Sequence, residues 1–262
     1  MRRLSFALIS VSSIAFTSFA SAADLPRKAP PIQPGPPPVV YNWTGCYIGG
    51  NIGGAWSRQT GNFEQAEFDF DQQPGSINQN DSSVIGGIHA GCNWQFVPQF
   101  VLGVEGDWSW TKLNGSGSAP NNFFDGTPVG SGGITMSSNT KWLASLRARA
   151  GWVVVPQWML YVTGGGAWAR TDYAALDEYS GGCPNCGAVS FSKTATGWTV
   201  GGGAEWMLTP NWILRAEYLY YQFDGANATG FFQPPFSPTP AANFTWNDLK
   251  INEFRVGASF KF

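Results

Sequence analysis

After Ala20 the chain has no uninterrupted apolar stretch of the roughly 20 residues that a membrane-spanning helix requires, so no helical anchor is expected past that point. Charge is scarce too: 12% of the 262 residues are charged, about half of the roughly 25% usual in soluble domains. A net charge of −2 offers no basic field to recruit nucleic acid. His89 is the only histidine, the cysteines number four, and no metal or cofactor site is expected. What the chain has instead is 33 Gly, 18 Pro, 13 Trp and 19 Phe. Its mean hydropathy of −0.13 would class it as soluble. A transmembrane barrel escapes such a scan, because apolar and polar residues alternate along its strands.

Residues 1–22 read as a secretory signal peptide. Arg2 and Arg3 form the charged start, Leu4 to Ala20 the apolar stretch, and Ala20-Ser21-Ala22 the small-x-small cleavage site. At about 17 residues, interrupted by serines, that stretch is short for a ~30 Å bilayer core. Residues 23–42 carry Pro26, Pro30, Pro31, Pro34, Pro36, Pro37 and Pro38, which makes them an extended periplasmic spacer without a core. Residues 43–262 remain for a folded domain.

That domain contains a repeat. Pro98-Gln99-Phe100-Val101-Leu102, Pro156-Gln157-Trp158-Met159-Leu160 and Pro210-Asn211-Trp212-Ile213-Leu214 each separate two alternating runs. Proline cannot donate to a strand ladder, so each marks a tight turn between strands. Polar stretches rich in Gly, Asn, Ser and Asp, at 59–81, 113–139, 172–192 and 223–243, read as long loops. Short turns alternating with long loops predict an eight-stranded antiparallel up-and-down transmembrane β-barrel, with strands near 44–58, 82–97, 99–112, 140–155, 157–171, 193–208, 210–222 and 247–262.

Alternation alone leaves open which face is inside, and a lipocalin-like soluble barrel would turn the apolar face inward. Volume decides. One face carries Trp56, Trp94, Trp108, Trp110, Trp142, Trp152, Trp158, Trp168, Trp198, Trp206 and Trp212. An eight-stranded interior is filled by ordinary side chains and cannot hold so many indoles. The opposite face is small, with Gly49, Gly53, Gly87, Gly91, Gly103, Gly165, Gly197, Gly201, Gly203 and Gly257. The indoles therefore face lipid. Same-face aromatics such as Phe100/Trp108, Trp142/Trp152 and Trp158/Trp168 recur eight or ten residues apart. At ~3.3 Å per residue and a tilt of roughly 40° that spacing is about 20–25 Å, the height of the apolar band between two aromatic girdles.

The closing run Phe254-Arg255-Val256-Gly257-Ala258-Ser259-Phe260-Lys261-Phe262 alternates aromatics up to a C-terminal Phe262. Together with Trp43-Thr44-Gly45-Cys46-Tyr47-Ile48-Gly49-Gly50-Asn51 and Gly86-Gly87-Ile88-His89-Ala90-Gly91-Cys92-Asn93-Trp94-Gln95, it resembles the small outer-membrane β-barrel family of Gram-negative bacteria, of opacity-protein and OmpA-transmembrane-like type. The resemblance spans nearly the whole mature chain. It implies location in the outer membrane, contact with its lipid and lipopolysaccharide, and Phe262 as the signal read by the outer-membrane assembly machinery. Members serve as surface structures, narrow pores or adhesins, so activity is not implied. Cys46 and Cys92 stand where the family usually shows aromatics. Their shared outward parity at the periplasmic ends of neighbouring strands admits either a cross-strand disulfide or two free thiols.

Inward parity assigns Lys141, Arg147, Arg149, Arg215, Arg255 and Lys261, against Glu105, Asp107, Glu205, Glu217 and Glu253, to the lumen. Charges there must pair to offset desolvation. A mixed, nearly neutral set fits a salt-bridged plug, whereas a single-sign ring would fit a selective pore. His89 lies mid-strand on the inward face without a Ser or Asp partner recognisable by spacing, and reads as a lumen polar residue. Cys183 and Cys186 form a CxxC in the third loop with no second pair, best read as a local disulfide in an oxidising location. The acidic first and third loops read as solvated, and Phe231, Phe232, Phe236 and Phe244 leave the fourth loop either partner-contacting or collapsed. The expectation is a non-enzymatic structural surface barrel supporting envelope integrity, with loops available for host or neighbour contacts. A narrow porin is the alternative, followed by a lipid-modifying enzyme centred on His89.

Overall fold

The computed structural model describes residues 40–65, 74–122, 128–178, 187–231 and 240–262. The expected signal peptide, most of the Pro-rich stretch, Cys183, Cys186, Phe232 and Phe236 lie outside them. Every regular element among the described residues is a strand: β1 (Gly45–Gln65), β2 (Gly75–Val97), β3 (Phe100–Asn122), β4 (Pro128–Val155), β5 (Trp158–Glu178), β6 (Val189–Met207), β7 (Trp212–Phe223), β8 (Ala226–Phe231), β9 (Pro240–Trp246) and β10 (Leu249–Lys261). Neighbours in sequence pair antiparallel from β1 to β7; β7 then pairs with β10, and β10 returns to β1 with Tyr47 opposite Lys261 and Trp56 opposite Asn252. Eight strands thus close a ring. The hairpin β8–β9 continues β7 and β10 upward after interruptions at Asp224-Gly225 and Asn247-Asp248, and β9 joins the upper part of β1.

The strands run well past the expected boundaries. Much of what composition marks as loop, including 59–65, 75–81, 113–122, 128–139 and 172–178, is ladder. The reason is visible in the side-chain pattern, which inverts above the membrane band. Within the band Ile48, Ile52, Ile88, Val104, Leu146 and Val162 point outward and exposed. Above it Phe63, Ile77, Ile134, Met136, Tyr173, Phe244 and Trp246 point inward and buried, while Asn78, Asn80, Thr135 and Asn243 face water. The upper barrel is an ordinary water-soluble one, and its polar exterior mimics loop composition.

All eleven indoles assigned to the outer face are exposed or half-buried on it, and the remaining two, Trp43 and Trp246, are inside. They form two belts. In the lower one Trp158 stacks on Trp206 at 5.7 Å and Trp212 meets Phe260 at 5.4 Å. In the upper one Trp108 stacks on Trp142 at 4.2 Å and Trp198 meets Tyr220 at 5.5 Å. The inner face is close to the backbone of the neighbouring strand at several glycines. A Cβ at Gly53 would overlap the Phe254 carbonyl and Arg255, and one at Gly49 would overlap His89, so neither position accepts a larger residue without displacement.

The lumen is filled in layers. A periplasmic floor packs Trp43, Val101, Val153, Met159, Tyr161, Met207 and Ile213. Trp43 is fully buried there, its indole donating to the Pro156 carbonyl at 3.2 Å and its backbone N–H to Gln95 Oε1 at 2.9 Å. Tyr41 and Asn42, which composition assigns to the spacer, belong to the same closure: Gln157 donates to Tyr41 at 2.7 Å and Lys261 donates to the Asn42 carbonyl. A middle apolar layer holds Ile85, Leu113, Leu143, Leu219, Tyr221, Phe223 and Ile251. A third, higher still, packs Phe63, Met136, Tyr173, Phe244 and Trp246. Phe244 therefore belongs to a collapsed core, and Phe231 remains exposed.

Candidate functional site

The charged layer lies between the floor and the middle apolar layer. Each of its residues sits on an inward position of a strand, two apart along β3 (Glu105, Asp107), β4 (Arg147, Arg149), β7 (Arg215, Glu217) and β10 (Glu253, Arg255), with Glu205 on β6. Antiparallel closure brings these five strands' residues to one height. Glu105 is the hub: Arg147 Nη2 meets its Oε1 at 2.6 Å, Arg215 Nη1 at 3.0 Å, and Arg149 Nη1 meets its Oε2 at 3.3 Å. Tyr47 donates to the same carboxylate at 2.6 Å. Glu217 takes Arg147 at 2.9 Å and Arg255 at 2.7 Å, and Glu205 takes Arg149 at 2.7 Å and Arg215 at 3.0 Å. Asp107 takes Arg255 at 3.1 Å and Arg147 at 3.2 Å, and accepts from Ser145. Glu253 is marginal, 3.5 Å from Arg255.

Two residues assigned to this network are not in it. Lys141 is exposed on the outer wall and pairs with Asp172. The register skips it toward both β3 and β5, so a bulge at Lys141 reverses the parity of β4. Period-2 counting from one end of the strand cannot detect such an insertion. Lys261 does face inward, but at the periplasmic rim, where its partner is the Asn42 carbonyl and no carboxylate. The network is therefore four arginines and five acids, each buried.

Sequence spacing also missed Ser259. It lies 2.7 Å from His89 Nε2, while Asn51 approaches Nδ1 at 3.3 Å. Only the closing register, which sets Gly49 between His89 and Ser259, joins these three strands. None of the described clefts is lined by His89 or Ser259. Cys46 and Cys92 are direct register partners and are joined in a disulfide on the outer wall. Phe262 is exposed at the periplasmic end, its N–H donating to the Cys46 carbonyl at 3.1 Å.

A family model for the outer membrane protein β-barrel domain matches residues 12–262. The chain belongs to that family. It is similar to the 31 kDa outer-membrane immunogenic protein of Brucella melitensis, 31% identical over 260 residues that cover 94% of this chain and 95% of the relative. The 25 kDa outer-membrane immunogenic protein of the same organism is 32% identical over 267 residues and the whole of both chains. These relatives are named as immunogenic proteins of the outer membrane, and the present barrel is accordingly an outer-membrane protein. Among solved structures, the outer-membrane protease OmpT of Escherichia coli overlaps 86% of this chain and 99% of its own, at 10% identity and a TM-score of 0.48. No inference about activity follows from overlap at that level.

Proposed function

We propose that this family member is a structural surface barrel whose lumen is closed, supporting the integrity of the envelope. One observation carries the reading. In a ring of eight strands β3 and β7 stand four apart in either direction, and Glu105 on β3 meets Arg215 on β7 at 3.0 Å. A direct ion pair between opposite walls leaves no bore at that height, and apolar layers lie below and above it. Each of the four buried arginines is paired with more than one carboxylate, so separating the walls would break several ion pairs together.

Liposome swelling in small sugars tests closure. The reading expects no swelling beyond protein-free vesicles, and swelling that scales with protein content would favour the porin alternative. In cells, loss of the protein is expected to raise sensitivity to detergent while leaving small-solute uptake unchanged. Assembly through Phe262 and surface contacts through the upper barrel belong to the same proposal.

A further inference from the structure

The outer wall changes chemistry directly above the upper aromatic belt. Arg58 follows Trp56 by two residues on β1, Lys112 follows Trp110 on β3, Arg170 follows Trp168 on β5, and Lys250 stands two before Asn252 on β10. Lys141 is answered by Asp172, and Arg170 donates to Thr194 at 3.3 Å. The side chains of Arg58 and Lys250 have no hydrogen-bond or ion-pair partner among the described residues. Yet the register sets them directly opposite each other on β1 and β10, both exposed. Like charges directly opposite on neighbouring strands repel. Solvation alone tolerates such a pair, but an anion between them turns the repulsion into attraction.

The space for an anion exists. Where the chain breaks between β9 and β10, a cleft of about 1050 Å³ opens, lined by Arg58, Thr60, Asn78, Asn80, Asn247 and Lys250 among others. Asp248 also lines it, but Gln222 holds that carboxylate at 2.9 Å. A second hollow of about 680 Å³ shares Arg58 and Asn80, includes Asp81, whose carboxylate accepts from the Asn114 N–H at 2.5 Å, and runs down to Trp56 in the belt. The two hollows join a cationic, amide-rich upper part to a lipid-facing indole.

We propose that this cleft binds the phosphorylated saccharide headgroup of an outer-leaflet lipid, which in an outer membrane is lipopolysaccharide. The phosphate lies between the Arg58 guanidinium, whose fork of N–H groups matches it, and the Lys250 ammonium. Asn78, Asn80 and Asn247 supply donors and acceptors for sugar hydroxyls, and the acyl chains pass along Trp56. The position, one residue pair above a membrane girdle, favours a lipid over free phosphate. The inference is independent of whether the lumen conducts.

The test uses the mature barrel in neutral detergent, with binding of diphosphorylated lipid A, dephosphorylated lipid A and inorganic phosphate followed by native mass spectrometry. Diphosphorylated lipid A is expected to bind at least tenfold more tightly than either other probe. Arg58→Gln/Lys250→Gln is expected to lose at least tenfold of that affinity, Arg58→Lys, which keeps the charge without the fork, to lose less than that, and Lys112→Gln, outside the cleft, to change it less than twofold. Without lipid, the double variant is expected to melt no lower than the parent, because the substitution removes a repulsion. If the double variant does not refold, Lys250→Gln alone is read in its place. Unchanged affinity in the variant, equal binding of the two lipid A forms, or inorganic phosphate binding as tightly as the lipid would each overturn the proposal.

Discussion

The guanidinium carbon of Arg149 lies 4.0 Å from the ring centroid of Tyr161, stacked where the charged layer meets the apolar floor. Its two terminal nitrogens donate to Tyr47 at 2.5 Å and to Glu205 at 2.7 Å. A desolvated cation over an aromatic face contributes about 2 kcal/mol or more. The contact ties two chemically unlike layers together. Several measurements follow from layers tied together in this way.

Glu105 is the acceptor shared by Arg147, Arg149 and Arg215, so Glu105→Gln weakens the pairing of three buried cations at once. The expected cost is about 3–5 kcal/mol, read as a lower urea midpoint for unfolding in detergent, followed by heat-modifiable migration. Arg215→Met is expected to cost a similar amount alone. The double variant should cost clearly less than the sum, and strict additivity would mean that the two side chains do not interact across the axis.

The outward indoles give an optical signature. Lipids brominated on the acyl chain should quench most of the tryptophan fluorescence of the barrel in vesicles. The residual emission should fall further when Trp43 and Trp246, both buried inside, are replaced by Phe. Weak quenching would be the result expected of a barrel with its aromatic face inward.

Trp43 closes the periplasmic mouth although it precedes the first strand. Trp43→Ala removes a fully buried indole and is expected to cost about 3–5 kcal/mol while leaving the ring intact. A variant of unchanged midpoint would show that the floor does not depend on it.

The Cys46–Cys92 bridge links positions 46 residues apart. Loop-closure entropy sets an upper limit of about 4 kcal/mol on what it contributes against unfolding. Non-reduced peptide mass analysis is expected to show the linked pair, and reduction to lower the unfolding midpoint without dissolving the β1–β2 ladder. Free thiols at both positions in the native protein would contradict the assignment.

The membrane-spanning part of the fold was legible because lipid outside and a crowded lumen inside impose opposite demands on alternate residues. The indoles of Trp108 and Trp142 and the inward glycines such as Gly53 state those demands plainly. Above the upper belt the same alternation carries the reverse polarity, so Phe63, Ile77 and Met136 were hidden among Asn, Ser and Gly that read as loop. The bulge at Lys141 has no marker in composition, since its only effect is to shift parity for the residues that follow. Which acid meets which arginine depends on ring closure and shear, and so does the meeting of His89 with Ser259. Those are properties of register between distant strands, which one strand's pattern does not contain.

The closed lumen is tested most directly by single-channel recording on the refolded barrel in planar bilayers. A closed lumen gives a silent bilayer for the parent protein and for Glu105→Gln, because the apolar layers persist when one charge is lost. Discrete conductance steps from the parent protein, altered in size by neutralising Glu105 or Arg215, would contradict it.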